Sequence, residues 1–272
     1  MTSVKYGINL FDVMRVPQHV VVARREHLAQ LLRQHSYLPL AELCGRLGVS
    51  EATARRDLTA LARGKVVTRT YGGALVDFNQ RFPSFRERQF QAGPAKRRIA
   101  AAAVRFIKPG MVCYFDAGTT VYGVAEALRS KPVERLTIIT NNLPVAEVLS
   151  DVPTVEVHLL GGRYLARQSM LLGDGGQRAL RQWSFDVAFL GAEGMNADGL
   201  WDSQRDIVAL RRMVMAMMPR CIFCLDSTKL GVEAAEFLLP WTQVKLLLTD
   251  CTLKQLENAG IQLDRRRYLH AD

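Results

Sequence analysis

No run among the 272 residues is apolar for long enough to cross a bilayer, so no membrane partner is expected. An export signal is lacking too, because Lys5, Asp12 and Arg15 interrupt the first stretch, where such a signal needs an unbroken apolar core. A cytoplasmic protein is expected. Cysteine is scarce: Cys44, Cys113, Cys221, Cys224 and Cys251 fall in apolar helix or strand contexts, which argues against a disulfide framework. Cys221 and Cys224 have the spacing of a metal pair. No second pair accompanies them, however, and in a strand-like run positions i and i+3 face opposite sides. No zinc site and no cofactor are expected.

Acidic residues are scarce at one end only. The first hundred residues hold 7 Asp+Glu against 17 Lys+Arg, whereas the rest hold 19 of each, so the formal net charge of +10 lies wholly in that first hundred. A protein that meets a polyanion with one end carries its charge in this way. The length and a hydrophobic content of 49% suit two domains, each with a core of its own.

The basic end also carries the most informative segment. Leu40, Leu43, Cys44 and Leu47 recur at i, i+3, i+4 and i+7, one apolar stripe on a short helix. Gly48 then permits a tight turn, Val49 plugs the corner, and Ser50 is a good N-cap for a second helix with Glu51 in its first turn. On that second helix Ala54, Leu58 and Leu61 face inward, which leaves Thr53, Arg55, Arg56 and Thr59 on other faces. Arginine forks onto guanine or phosphate, and threonine offers a hydroxyl or a methyl. An ordinary helical hairpin with solvated arginines is the plain alternative. Its flanks argue for more: an amphipathic helix with Leu28, Leu31 and Leu32 precedes it, and two β-prone runs, Val66 to Thr70 and Ala74 to Val76, follow it around Gly72-Gly73. That order is a winged helix-turn-helix. The candidate DNA-contacting residues are Ser50, Glu51, Thr53, Arg55 and Arg56, with Lys65, Arg69 and Tyr71 on the wing.

The expected divisions are an N-terminal extension (1–22), the winged helix-turn-helix (23–78), a polar, Pro- and Gly-punctuated linker (79–98), an α/β sensor domain (99–254) and a C-terminal tail (255–272). In the sensor domain, β-branched runs at Met111 to Phe115, Leu136 to Thr140, Val155 to Leu160, Val187 to Leu190, Cys221 to Leu225 and Val244 to Thr249 alternate with helical stretches. Such alternation predicts a mostly parallel sheet, whose ligands bind beyond the carboxyl ends of its strands. Five of those ends are polar or glycine-rich, beginning with Asp116-Ala117-Gly118-Thr119-Thr120, where backbone N–H groups and hydroxyls can wrap an anion at a helix start.

The ordered series ATARRDL and YGGA, then DAGTT, TNNLP, LGGRY, FLGAEG and LDSTKLG, resembles the DeoR family of transcriptional regulators from about Arg24 to Asp250. The resemblance implies a winged helix-turn-helix joined to a sensor domain similar to ribose-5-phosphate isomerases and CoA transferases. It also implies a homo-oligomer, dimer or tetramer, that binds a double-stranded DNA operator and represses a carbohydrate or polyol operon until a phosphorylated sugar releases it. Carried over by position, Asp116, Gly118, Thr119 and Thr120 form a phosphate-side loop, and Asn141, Arg163, Glu193 and Lys229 face the effector. Two features depart from the family pattern: Trp201 and Ile207 are unusual, and Arg211 stands where lysine is common. The rival reading is a sugar-phosphate isomerase-like enzyme. Against it, the isomerases' acidic turn has Leu190 in place of its first acid, and no lysine lies between Glu193 and Arg211.

Overall fold

A computed structural model of the chain describes residues 16–35, 37–63, 67–69, 73–76, 84–218 and 220–272. Two compact units make up the chain, Met1–Phe78 and Asn79–Asp272.

In the first unit, α1 (Gln18–His35), β1 (Tyr37–Pro39), α2 (Leu40–Leu47), α3 (Glu51–Arg63), β2 (Val67–Arg69) and β3 (Gly73–Val76) follow one another. Leu28 and Leu32 from α1, Leu43 from α2, and Ala54 and Leu58 from α3 meet in one buried cluster, the stripes that the leucine spacing predicts. Gly48 ends α2 with φ 62°, a left-handed conformation that costs glycine little and turns the chain into α3. Strands β1 and β2 both pair antiparallel with β3. Two boundaries differ from expectation. Helix α1 begins at Gln18, inside the segment assigned to the extension, and strand β1 begins at Tyr37, within the stretch Arg24 to Leu38 that reads as the first helix in the sequence. Pro39 accounts for the second, since it disfavours helical geometry in the residue before it and N-caps α2.

The second unit contains α4 (Phe85–Phe90), α5 (Gly93–Val104), β4 (Val112–Phe115), α6 (Thr119–Ser130), β5 (Leu136–Thr140), α7 (Leu143–Leu149), β6 (Val155–Leu159), β7 (Arg163–Leu165), β8 (Met170–Leu172) and α8 (Asp174–Leu180). It continues with β9 (Val187–Leu190), β10 (Gly194–Met195), β11 (Gly199–Asp202), α9 (Arg205–Met217), β12 (Cys221–Cys224), β13 (Glu236–Pro240), β14 (Leu246–Thr249), α10 (Leu253–Asn258) and β15 (Tyr268–His270). Seven strands form the central sheet in the order β15-β14-β12-β9-β4-β5-β6. Every ladder in it is parallel. Both faces are buried: Cys221 and Phe223 of β12 join one core cluster, Ile222 and Cys224 the other. That double burial is why these strands read as continuous apolar runs, and why Cys221 and Cys224 cannot share a metal.

The polar segment expected to be a linker is helical from Phe85 onward. Ser84 and Glu87 form a reciprocal capping box at the start of α4, and Phe85 is buried with its ring edge-on to Tyr122, centroids 5.5 Å apart. A single apolar anchor among charged neighbours leaves little periodicity to detect. Residues assigned to a tail include β15, which pairs with β14 at the edge of the main sheet. A small antiparallel sheet (β10-β11-β13) and the hairpin β7-β8 add further strands, of which β7, β8, β10 and β11 are only two to four residues long.

Candidate DNA-reading helix and effector site

On α3, Glu51, Arg55 and Arg56 are exposed and Thr53 is half-buried, while Ala54, Asp57 and Leu58 are buried. Ser50 Oγ accepts the Thr53 amide at 3.4 Å, a long N-cap bond. Arg55 Nη2 donates to Glu51 Oε2 at 3.2 Å, one helical turn back and in solvent. Thr59 donates its hydroxyl to the Arg55 carbonyl at 2.7 Å. Asp57 escaped the sequence reading although it sits inside the ARRDL motif. Its two carboxylate oxygens accept Arg24 Nε at 2.6 Å and Arg25 Nε at 2.8 Å, which ties α3 to α1. Burial pushes the Asp57 carboxyl up, but the hydrogen bonds and charges of the two arginines outweigh it and hold the group below its usual range. Of the wing residues, Lys65 and Tyr71 lie outside the described residues. Arg69 closes β2, and its side chain is not among those described.

In the second unit the strand ends converge as the parallel sheet predicts. Gly118 has φ 152°, a backbone state open to glycine, and it leads from β4 into α6 with Thr119 and Thr120 buried. Thr120 Oγ1 donates to Asp226 Oδ2 at 3.4 Å across the sheet, from the end of β4 to the end of β12. Asp116 is fully buried, and its Oδ2 accepts Arg211 Nε at 2.6 Å and the Gly191 amide at 3.2 Å. Arg211 Nη1 donates to Asp202 Oδ2, so one guanidinium bridges two buried carboxylates. Burial pushes Asp116 up, against the opposing pull of Arg211. Burial alone would lower Arg211, yet the charges of Asp116 and Asp202 raise it further above its usual value. Arg211 thus occupies Asp116 Oδ2 and leaves Oδ1 as the free oxygen of this carboxylate among the described residues.

Three buried polar atoms at this rim have no hydrogen-bond partner among the described residues: both side-chain heteroatoms of Asn141, and Asp116 Oδ1. Asn142 next door is spent on structure at Oδ1, which accepts the Val145 amide at 3.0 Å and caps α7, while its buried Nδ2 has no partner among the described residues. Burial, then the charge of Asp202, pushes the Glu193 carboxyl up to about 7. Lys229 closes the short turn after β12, where burial lowers its pKa and Asp226 opposes that shift. Arg163 is not brought to this cluster: it opens β7, exposed, and makes no ion pair among the described residues. Trp201 and Ile207 prove to be packing residues, Trp201 edge-on to Phe237 at 5.0 Å and Ile207 in the core. Asp202 and Ser203 were missed because no distinctive motif marks the end of β11, and Asp226 was passed over within LDSTKLG in favour of Lys229.

Two family descriptions match the chain, a DeoR-like helix-turn-helix domain over residues 24–80 and a DeoR C terminal sensor domain over residues 92–251. The chain belongs to the DeoR family. It is a DNA-binding transcriptional regulator. The HTH-type transcriptional repressor GlcR of Bacillus subtilis is 29% identical over 87% of this chain and 93% of its own length. The HTH-type transcriptional regulator UlaR of Shigella sonnei is 29% identical over 89% of this chain and 98% of its own. A solved D-ribose-5-phosphate isomerase in complex with phospho-erythronic acid aligns with 49% of this chain and 52% of that one, at a TM-score of 0.37 and 16% identity. Among the described residues no helix is long and apolar enough to cross a membrane.

Proposed function

We propose that this DeoR-family protein represses a carbohydrate or polyol catabolic operon and leaves its operator when a phosphorylated sugar or related metabolite binds the rim of the central sheet. One observation carries the reading: the buried polar atoms of Asn141 and Asp116 that find no partner within the described residues. A buried polar group left unpaired costs about 1–3 kcal/mol. A polyol, whose hydroxyls both donate and accept, answers such a mixed set better than a purely apolar or purely anionic ligand. Lys229 and the start of α6 add positive potential for a phosphate. One winged helix covers a short half-site, so we further propose a homo-oligomer, at least a dimer.

The test is a titration of protein and labelled operator with sugar and polyol phosphates. One of them is expected to release the DNA. Lys229→Met removes the charge at the rim while leaving α3 untouched, so it should keep wild-type operator affinity and lose the response, which is a non-inducible repressor. Equal response in the two proteins would remove Lys229 from the site.

A further inference from the structure

We propose that Arg24 and Arg25 on α1, both held by Asp57 of α3, form a clamp for the phosphate backbone of DNA beside the reading helix. The clamp rests on the DNA-binding role of the first unit and is independent of the effector reading. Neither arginine stands among the contacts that the sequence suggests, which all fall on α3 and the wing.

The inner face of α1 changes character toward its start. Leu28 and Leu32 are buried with Ala54 and Leu58 of α3, but one turn before Leu28 the same face carries Arg24, with Arg25 beside it. There it meets Asp57, in the middle of α3 and nearly sealed from water. Asp57 Oδ2 accepts Arg24 Nε at 2.6 Å, and Oδ1 accepts Arg25 Nε at 2.8 Å. A guanidinium has five N–H donors, so each arginine commits one and keeps those on its two Nη atoms. Among the described residues no hydrogen bond takes up these Nη donors, and Asp57 is the one carboxylate within ion-pair distance of either side chain. The Arg25 side chain is 36% exposed, so its outer edge reaches solvent. Two positive charges thus cover one negative charge, and an acid on the reading helix does not face a polyanion bare.

The place of Asp57 on α3 supplies the partner. Ala54 and Leu58 face the core and Arg56 faces solvent. Asp57 lies about 100° round the helix from Arg56 and one turn on from Thr53, on the flank between core and exposed face. A major groove about 12 Å wide admits a helix about 10–12 Å across with little to spare. A group on the flank of a seated reading helix therefore meets the sugar–phosphate wall and not the base edges. Guanidinium forks fixed at the Nε edge and open at the other match the acceptor oxygens of a phosphate there. Asp57 is the positioning residue, and Arg24 and Arg25 make the contact. Because the forks are tied to α3 itself, their grip also sets how the reading helix sits in the groove.

The full-length protein is titrated over a salt series with two labelled duplexes, an operator recovered by selection from random duplexes and a mixed-sequence duplex of equal length. Arg25→Gln should reduce the slope of log K against log salt by about one and weaken both duplexes by the same factor, so that the preference for operator is kept. Arg266→Gln removes the same charge from a side chain 90% exposed in the second unit, and it should keep the wild-type slope. Arginine footprinting needs no variant, so it decides the matter even if Arg25→Gln does not fold. Phenylglyoxal should modify Arg25 in free wild type, and the mixed-sequence duplex should protect Arg25 while Arg266 stays reactive. An unchanged slope in folded Arg25→Gln, or an Arg25 still reactive on saturating DNA, overturns the clamp. An altered base preference at constant slope overturns it as well, since the three residues would then only brace α3 against α1.

Discussion

Glu193 shows how one buried carboxyl records both the fold and the function. Burial and the charge of Asp202 push it up to about 7 from a usual value of 4.5. The folded state therefore holds this proton more tightly than the unfolded chain, so stability falls as pH rises from about 4.5 through 7. Glu193→Gln mimics the protonated form. Its melting temperature should match wild type near pH 4 and exceed it increasingly up to pH 8; a constant offset across that range would mean that Glu193 does not titrate in this window. The sequence made Glu193, Asn141 and Lys229 visible as polar residues just after strands, because a strand that ends in a binding rim changes abruptly from apolar to polar. It hid Asp57, whose partners Arg24 and Arg25 lie 33 and 32 residues away. Side chains whose meaning depends on a distant partner leave no local trace.

At the scale of elements, the strands of the central sheet from β4 to β14 were legible because burial on both faces forces runs of Val, Ile, Leu and Phe. The strands β7, β8, β10 and β11 were not, being two to four residues long and defined by pairing rather than by pattern. Helix α3 was the clearest of all, since its N-cap, apolar spacing and exposed arginines agree. Arg55 is held by Glu51 in an exposed pair one turn apart, an interaction worth about 0.3–0.5 kcal/mol, so it is easily surrendered to DNA. Arg56 makes no such pair among the described residues and points about 100° away. The two arginines should behave differently. An alanine at the base-reading position should cost about 1–3 kcal/mol at one operator base pair. At the phosphate-contacting position it should weaken all sequences alike and reduce the salt slope by about one. Operator selections with each variant over a salt series separate the two, and normal binding by the double variant would remove α3 as the reader.

For the whole molecule, charge density and core size differ between the two units. Residues 1–78 hold 11 Lys+Arg against 6 Asp+Glu, half of the surplus of ten in under a third of the chain, while the larger apolar clusters lie in the second unit. Affinity for DNA then comes from a small basic module of modest core, whose contacts are salt-sensitive and cover only a short half-site. Specificity of a useful size needs two such modules held together, and the unit with the larger core is the one able to bury an association surface without loosening. A fragment from Gln80 onward, which forms a compact unit of its own, should accordingly sediment as a dimer or larger at micromolar concentration. The matching fragment ending at Phe78 should sediment as a monomer and bind operator weakly, with the same base preferences. A monomeric sensor fragment would move the association to the DNA-binding unit, and the spacing of operator half-sites would then be set by that unit instead.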